Sequence, residues 1–132
     1  MANKGLDIIN ENEGGSVRIA DEVVATIASL AATEIEGIAG MSGGIAGGIA
    51  EMLGKRNLSK GVKVEVGERQ AAVDLYIITE YGIRIPDVAW QVQENVKRKI
   101  ETMTGLEVVE VNVHVQGIKM GQEEKEEDIR VR

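Results

Sequence analysis

Apolar and polar residues alternate in four stretches of the chain, one of them brief, and recur at helical spacing in two others. Val62, Val64 and Val66 fall on one side of residues 61–66, with Lys63 and Glu65 on the other, as in a strand with one buried face. Residues 71–80 repeat the pattern with Val73, Leu75 and Ile77 inward, and the turn Gly67–Gln70 joins the two runs as a hairpin. Residues 106–117 predict another strand, with Val109, Val111, Val113 and Val115 on one face and Glu110, Asn112, His114 and Gln116 on the other. Gly15–Ile19 alternates more briefly and reads as a short edge strand. From Asp21, a stripe of Val23, Val24, Ile27, Leu30, Ala31 and Ile35 predicts a helix that stops at Gly37. Pro86 opens a second helix over 86–103, with Val88, Val92, Val96, Ile100 and Met103 on one side and Gly105 ending it.

The order β-α-β-β-α-β, with one buried face per strand and one stripe per helix, predicts an α+β fold. It is a small sheet of three to four strands, antiparallel or mixed, with two helices packed on one face. The other face would be open and carry Lys63, Glu65, Asp74, Tyr76, Glu110, Asn112 and His114. Residues 1–14 read as a flexible leader, 15–118 as one domain, and 119–132 as a charged tail. Within the domain, 38–60 is glycine-rich. Gly-Ile-Ala-Gly occurs at 37–40 and again at 44–47, and Ile45, Ile49, Met52 and Leu53 would share a face of a short helix diluted by glycine.

Composition narrows the function. The 132 residues carry a net charge of −7, which argues against phosphate-backbone binding and against adsorption to anionic lipid. No cysteine is present, so thiolate chemistry, disulfides and cysteine metal sites are excluded. The polar start of the chain and the absence of a long apolar run point to the cytoplasm without direct membrane insertion.

Candidate chemistry is sparse. His114 is the one histidine and sits on the polar side of its strand, where Asp74 or Glu65 could come near; alone it makes neither a catalytic set nor a metal site. Gly54-Lys55 is followed by Arg56, which breaks the phosphate-loop pattern. Gly37-Ile-Ala-Gly40 has the bare Gly-x-x-Gly of KH domains without their basic flanks, so a KH-like nucleic-acid module is a distant alternative. No catalytic residue, cofactor or metal is expected, and the chain reads as a non-enzyme. The surface is more informative. Trp90 falls off the apolar stripe of its helix into a row with Glu94 and Lys97, the placement of an interface anchor, with local packing as the alternative. Tyr81 just before that helix could extend the patch, and Tyr76 and His114 mark the open face.

Several stretches together resemble the alkaline shock protein twenty-three (general stress, Gls-type) family of Gram-positive bacteria. They are Gly15–Ile19 with the helix running to Ile35-Glu36-Gly37, Gly61-Val62-Lys63-Val64, Glu80-Tyr81-Gly82-Ile83-Arg84-Ile85-Pro86, Val92-Gln93-Glu94-Asn95-Val96, and Thr104-Gly105-Leu106 through Val111-Asn112-Val113-His114-Val115. They span about residues 15–119. The resemblance implies a cytoplasmic scaffold in cell-envelope homeostasis and stress that forms homo-oligomers. It also implies protein partners, among them a membrane-anchored protein that holds it at the inner membrane face. It brings no catalytic residues. Relatives with the same Ile-Pro and Val-Asn-Val-His-Val wording imply an alternative, regulation of fatty-acid synthesis through acetyl-CoA carboxylase.

Overall fold

The computed structural model describes residues 14–43 and 59–121. The order of elements is α1 (Asp21–Thr33), β1 (Ile38–Met41), β2 (Val62–Val66), β3 (Gln70–Glu80), α2 (Ile85–Thr104) and β4 (Glu107–Lys119). This is an α+β fold of two helices and a four-stranded sheet.

β3 organises the sheet. β4 pairs with it in parallel along its whole length, and α2 is the connection that makes this parallel return possible. β2 pairs antiparallel with residues 71–75, and β1 pairs antiparallel with residues 77–79. Because β4 occupies one edge of β3 throughout, β1 and β2 must share the other, end to end. They meet at Tyr76, whose carbonyl accepts from Ser42 N–H and whose N–H donates to Gly61 O, both at 2.8 Å. Gly61 has φ +77°, and a Cβ there would lie 2.9 Å from Met41 Cβ and 3.0 Å from the Ser42 and Tyr76 carbonyl oxygens, so the junction needs glycine.

Both helices cover the face that carries Ala71, Val73, Leu75 and Ile77, all buried. Val24, Ile27, Ala28, Ala31 and Ala32 of α1 and Val88, Val92, Val96 and Ile100 of α2 complete the core. α2 ends at Gly105 in the left-handed region, with its N–H bonded to Glu101 O. A buried polar residue joins the helices: Asn95 Nδ2 donates to Ala31 O at 2.8 Å and to Glu34 Oε1 at 2.9 Å, and its Oδ1 accepts from Arg98.

Several expectations change. Gly15–Ile19 forms no strand; only an isolated bridge at Gly15 precedes α1, so the first element is the helix. A run of five residues that begins Gly-Ser has too little side chain at that end to hold an edge. α1 ends at Thr33, before Gly37, and the glycine-rich stretch opens with a strand of its own, β1. Val23 and Leu30 of the predicted α1 stripe are exposed, and so is Met103 of α2 (64%). Leu30 and Met103 line the outer mouth of the seam between the helices, with Ile27, Ala31, Glu34 and Lys99, so the apolar stripes are wider than the core they cover. In β4 the register slips where Val109 is the extra residue between Val108 and Glu110, so Val108 is buried and Val109 exposed. β4 runs to Lys119, one residue beyond the expected domain end. The predicted helix over Ile45–Leu53, the Lys55-Arg56 pattern, most of the leader and most of the tail lie outside the described residues.

Candidate functional site

Two surfaces carry the residues singled out from sequence, and they lie on opposite faces of the sheet. The first is the open face. Register sets Lys63, Asp74 and Asn112 in one row and Tyr76 beside His114 in the next. Asn112 Nδ2 donates to Asp74 Oδ1 at 3.1 Å, and His114 Nε2 lies 3.2 Å from the same oxygen, donating when it carries the proton. The His114 and Tyr76 rings stack with centroids 4.6 Å apart and planes 11° from parallel, and Lys63 Nζ stands 5.9 Å from the Tyr76 centroid. The hydrogen bond from His114, then that from Asn112, holds the Asp74 carboxyl below its usual range.

The Asp74–His114 contact expected across the strands is therefore present. It stands on an exposed sheet face, with Tyr76 rather than an activated nucleophile against the imidazole. Ser42 Oγ, just past β1, is engaged elsewhere: it donates to Gln116 Oε1 at 3.1 Å. Among the described residues no group of three or more His, Cys, Asp or Glu side chains is placed to hold a metal ion. Gly37–Gly40 is also no exposed clamp for a phosphate backbone: Gly37 and Ile38 are buried and Ile38–Met41 is β1.

The second surface belongs to α2 and the outer edge of β4. Trp90 is 60% exposed, Glu94 and Lys97 follow it on the solvent side, and Tyr81 is exposed at the end of β3, where its N–H donates to Lys119 O. Sequence reasoning placed these four correctly on the surface and missed two residues beside them. Gln93 Nε2 donates to Val111 O at 2.9 Å, and Glu101 Oε2 accepts from Val108 N–H at 2.9 Å. Glu107 N–H turns the other way, to Arg69 O on the β3 side. Val108 and Val111 therefore present main-chain groups away from β3, and α2 caps them. By alternation Val113 and Val115 point the same way. Among the described residues no hydrogen bond from an α2 side chain reaches that later half of the edge, where Val115 and Ile118 are exposed. Only the contact geometry reveals Gln93 and Glu101; in the sequence they look like ordinary solvent-face residues.

No helix among the described residues is long and apolar enough to cross a membrane. Two helices on one face of a four-stranded mixed sheet, with the other face open and polar, define the class of the fold. Comparison with known proteins supplies the family: residues 9–120 match the alkaline shock protein twenty-three family, described as having a cell envelope-related function, and the chain belongs to it. It is 41% identical over 115 residues to the protein YqhY of Bacillus subtilis, covering 87% of this chain and 85% of that one. It is also 41% identical over 108 residues to YloU of the same organism, covering 80% and 90%. A stress response regulator gls24 homolog of Streptococcus pyogenes is 36% identical over 106 residues, 80% of this chain and 59% of that protein. No solved structure matches.

Proposed function

We propose that this chain is a non-enzymatic protein-binding module of the cell envelope stress response, acting from the cytoplasmic side through the α2–β4 surface. The carrying observation is Trp90: a large aromatic, 60% exposed, one helical turn before Gln93 and so beside the uncapped half of β4. Aromatic anchors of this kind dominate the energetics of protein interfaces. The envelope role rests on family membership. Docking, scaffolding and a tethered membrane partner are the parts of the reading that need experiment. A photocrosslinker placed at position 90 of the full chain, in cells, should trap a discrete protein species that a crosslinker at Glu68, in the β2–β3 turn, does not. Identical capture from both positions would sink the assignment of the surface.

A further inference from the structure

The geometry points to a docking hollow on the open face of the sheet, built for an acidic segment of a partner protein that seats one aliphatic side chain over Ile78, between Lys60 and Lys119. Ile78 lies on the other face of the sheet from Trp90, so this site goes beyond the surface proposed above.

The shape comes from a row of missing side chains. Gly40, Ile78 and Gly117 are neighbours in register across β1, β3 and β4. Further back on the same face, Asp74 stands between Lys63 and Asn112, with a side chain on each side. Ile78 has a side chain on neither. The backbone does not demand these glycines, since neither has a positive φ. Crowding does not demand them either. A Cβ at Gly40 would meet nothing within 4 Å, and one at Gly117 would make only ordinary contact with Ile78 at 3.8 Å. Glycine inside a strand weakens it and often marks a place where another chain or a ligand comes close. With Met41 and Ile118, the row bounds a hollow of about 460 Å³ with an apolar floor, within the size range of binding sites.

Charge and openness select the occupant. Lys60 lines the hollow from the β2 side and Lys119 from β4, and among the described residues no acidic side chain lines it. Neither lysine has an ion-pair partner among the described residues, although Glu80 is the neighbour of Lys119 in register. On a chain of net charge −7, a basic segment is attracted almost anywhere, whereas an acidic one is matched where lysines stand without acids. The two lysines start on either side of β3, two strand spacings or about 10 Å apart. Each is a point charge on a flexible stem, with no arginine fork beside it to grip a single free anion. That spacing suits carboxylates carried along a chain on both sides of an aliphatic residue. The hollow also opens onto a sheet face, so a free small molecule would stay largely wet, while a side chain held on a segment needs only its tip covered. The main chain at Ile78 is already paired with β1 and β4, so recognition rests on the aliphatic knob and the two charges.

The probe is the peptide acetyl-Glu-Asp-Leu-Asp-Glu-amide, titrated into the isotope-labelled full chain and followed by NMR. The amides of Ile78 and Lys119 should shift together and saturate with a Kd on the order of 1 mM or tighter. The same peptide with serine in place of leucine should bind at least about fivefold more weakly, and one with lysine for every acid should leave Ile78 unmoved. Gly40→Val fills the hollow without a clash. It should keep or raise the urea midpoint and weaken the peptide about tenfold or more. Gly117→Val is a second filler should β1 not tolerate the first. Lys60→Glu combined with Lys119→Glu should lose the acidic peptide and gain the lysine one. No shift at Ile78 up to about 5 mM peptide overturns the proposal. So does a filled variant, folded by its urea midpoint, that binds like the wild type. Shifts confined to the surface around Trp90 overturn it as well. So do nuclear Overhauser contacts in the free protein from Ile78 to the chain's own residues 122–132, which would make that segment the occupant. None of these outcomes touches the Trp90 assignment, which crosslinking at position 90 tests by itself.

Discussion

Asn95 interrupts the apolar side of α2 between Val92 and Val96, and the structure shows what the interruption holds. Its side chain binds a carbonyl in the last turn of α1, where helical carbonyls lack partners, and also fixes Glu34 and Arg98. Asn95→Leu would match the surrounding volume and leave Ala31 O without its partner in a buried place. The expected loss is about 2 kcal/mol in urea denaturation, more than an exposed polar residue would give. The substitution should also let the Glu34 carboxyl titrate higher, since the Asn95 hydrogen bond is the first cause of its lowered pKa. An NMR titration of Glu34 separates that local effect from general loosening. Thr79 is the opposite case, a buried hydroxyl without a partner among the described residues.

At the scale of elements, the alternation of Val62–Val66 and of Val73, Leu75 and Ile77 was fully legible, and so was α2 from Pro86 to Gly105. These segments obey one period from end to end, and one face of each is buried. The misreadings share a cause. β1 was hidden because Ile38-Ala-Gly-Met41 is four residues long and gains its place only by pairing with β3. The slip at Val109 was hidden because Val109 and Val111 continue the alternation across it while the ladder shifts. The α1 stripe included Val23 and Leu30 because apolar residues at helical spacing mark a helix face and not how far its neighbour reaches. Of the six residues marked for interaction, the solvent side of Trp90, Glu94 and Lys97 and the shared open face of Tyr76 and His114 followed from period alone. The stacking of Tyr76 on His114 needed the register of β3 against β4. The α1 result predicts an asymmetry: Leu30→Lys should change stability by less than about 0.5 kcal/mol, while Ile27→Ala, one turn earlier and buried, should cost about 2–3 kcal/mol. Equal losses in parallel urea melts would mean that the seam is closed over Leu30.

For the molecule as a whole, two carboxylates on different layers act in the same direction. Glu34 is held below its usual range by Asn95 and then Lys99, and Asp74 by His114 and then Asn112. In the unfolded chain both return to the ordinary carboxylate range, so on acidification the unfolded state takes up their protons first. Their contribution is complete above that range, about pH 4, and is lost as the pH falls through the lowered folded values. The urea midpoint should therefore decline on the acid side, and Asp74→Asn with Glu34→Gln should flatten the decline even though both lower the neutral value. Both groups are exposed, so the slope will be shallow and salt-sensitive.

The junction at Tyr76 has a consequence for how such chains can vary. The main chain leaves the sheet at Ser42 and rejoins it at Gly61 on neighbouring positions of one strand edge, so whatever lies at 44–58 is spliced between two points already held together by β3. Closure entropy rises only with the logarithm of length for such a detour. Residues could be added or removed there while every pairing of β3 stays in register, which makes this the natural place for members of one family to diverge in what they carry without diverging in fold.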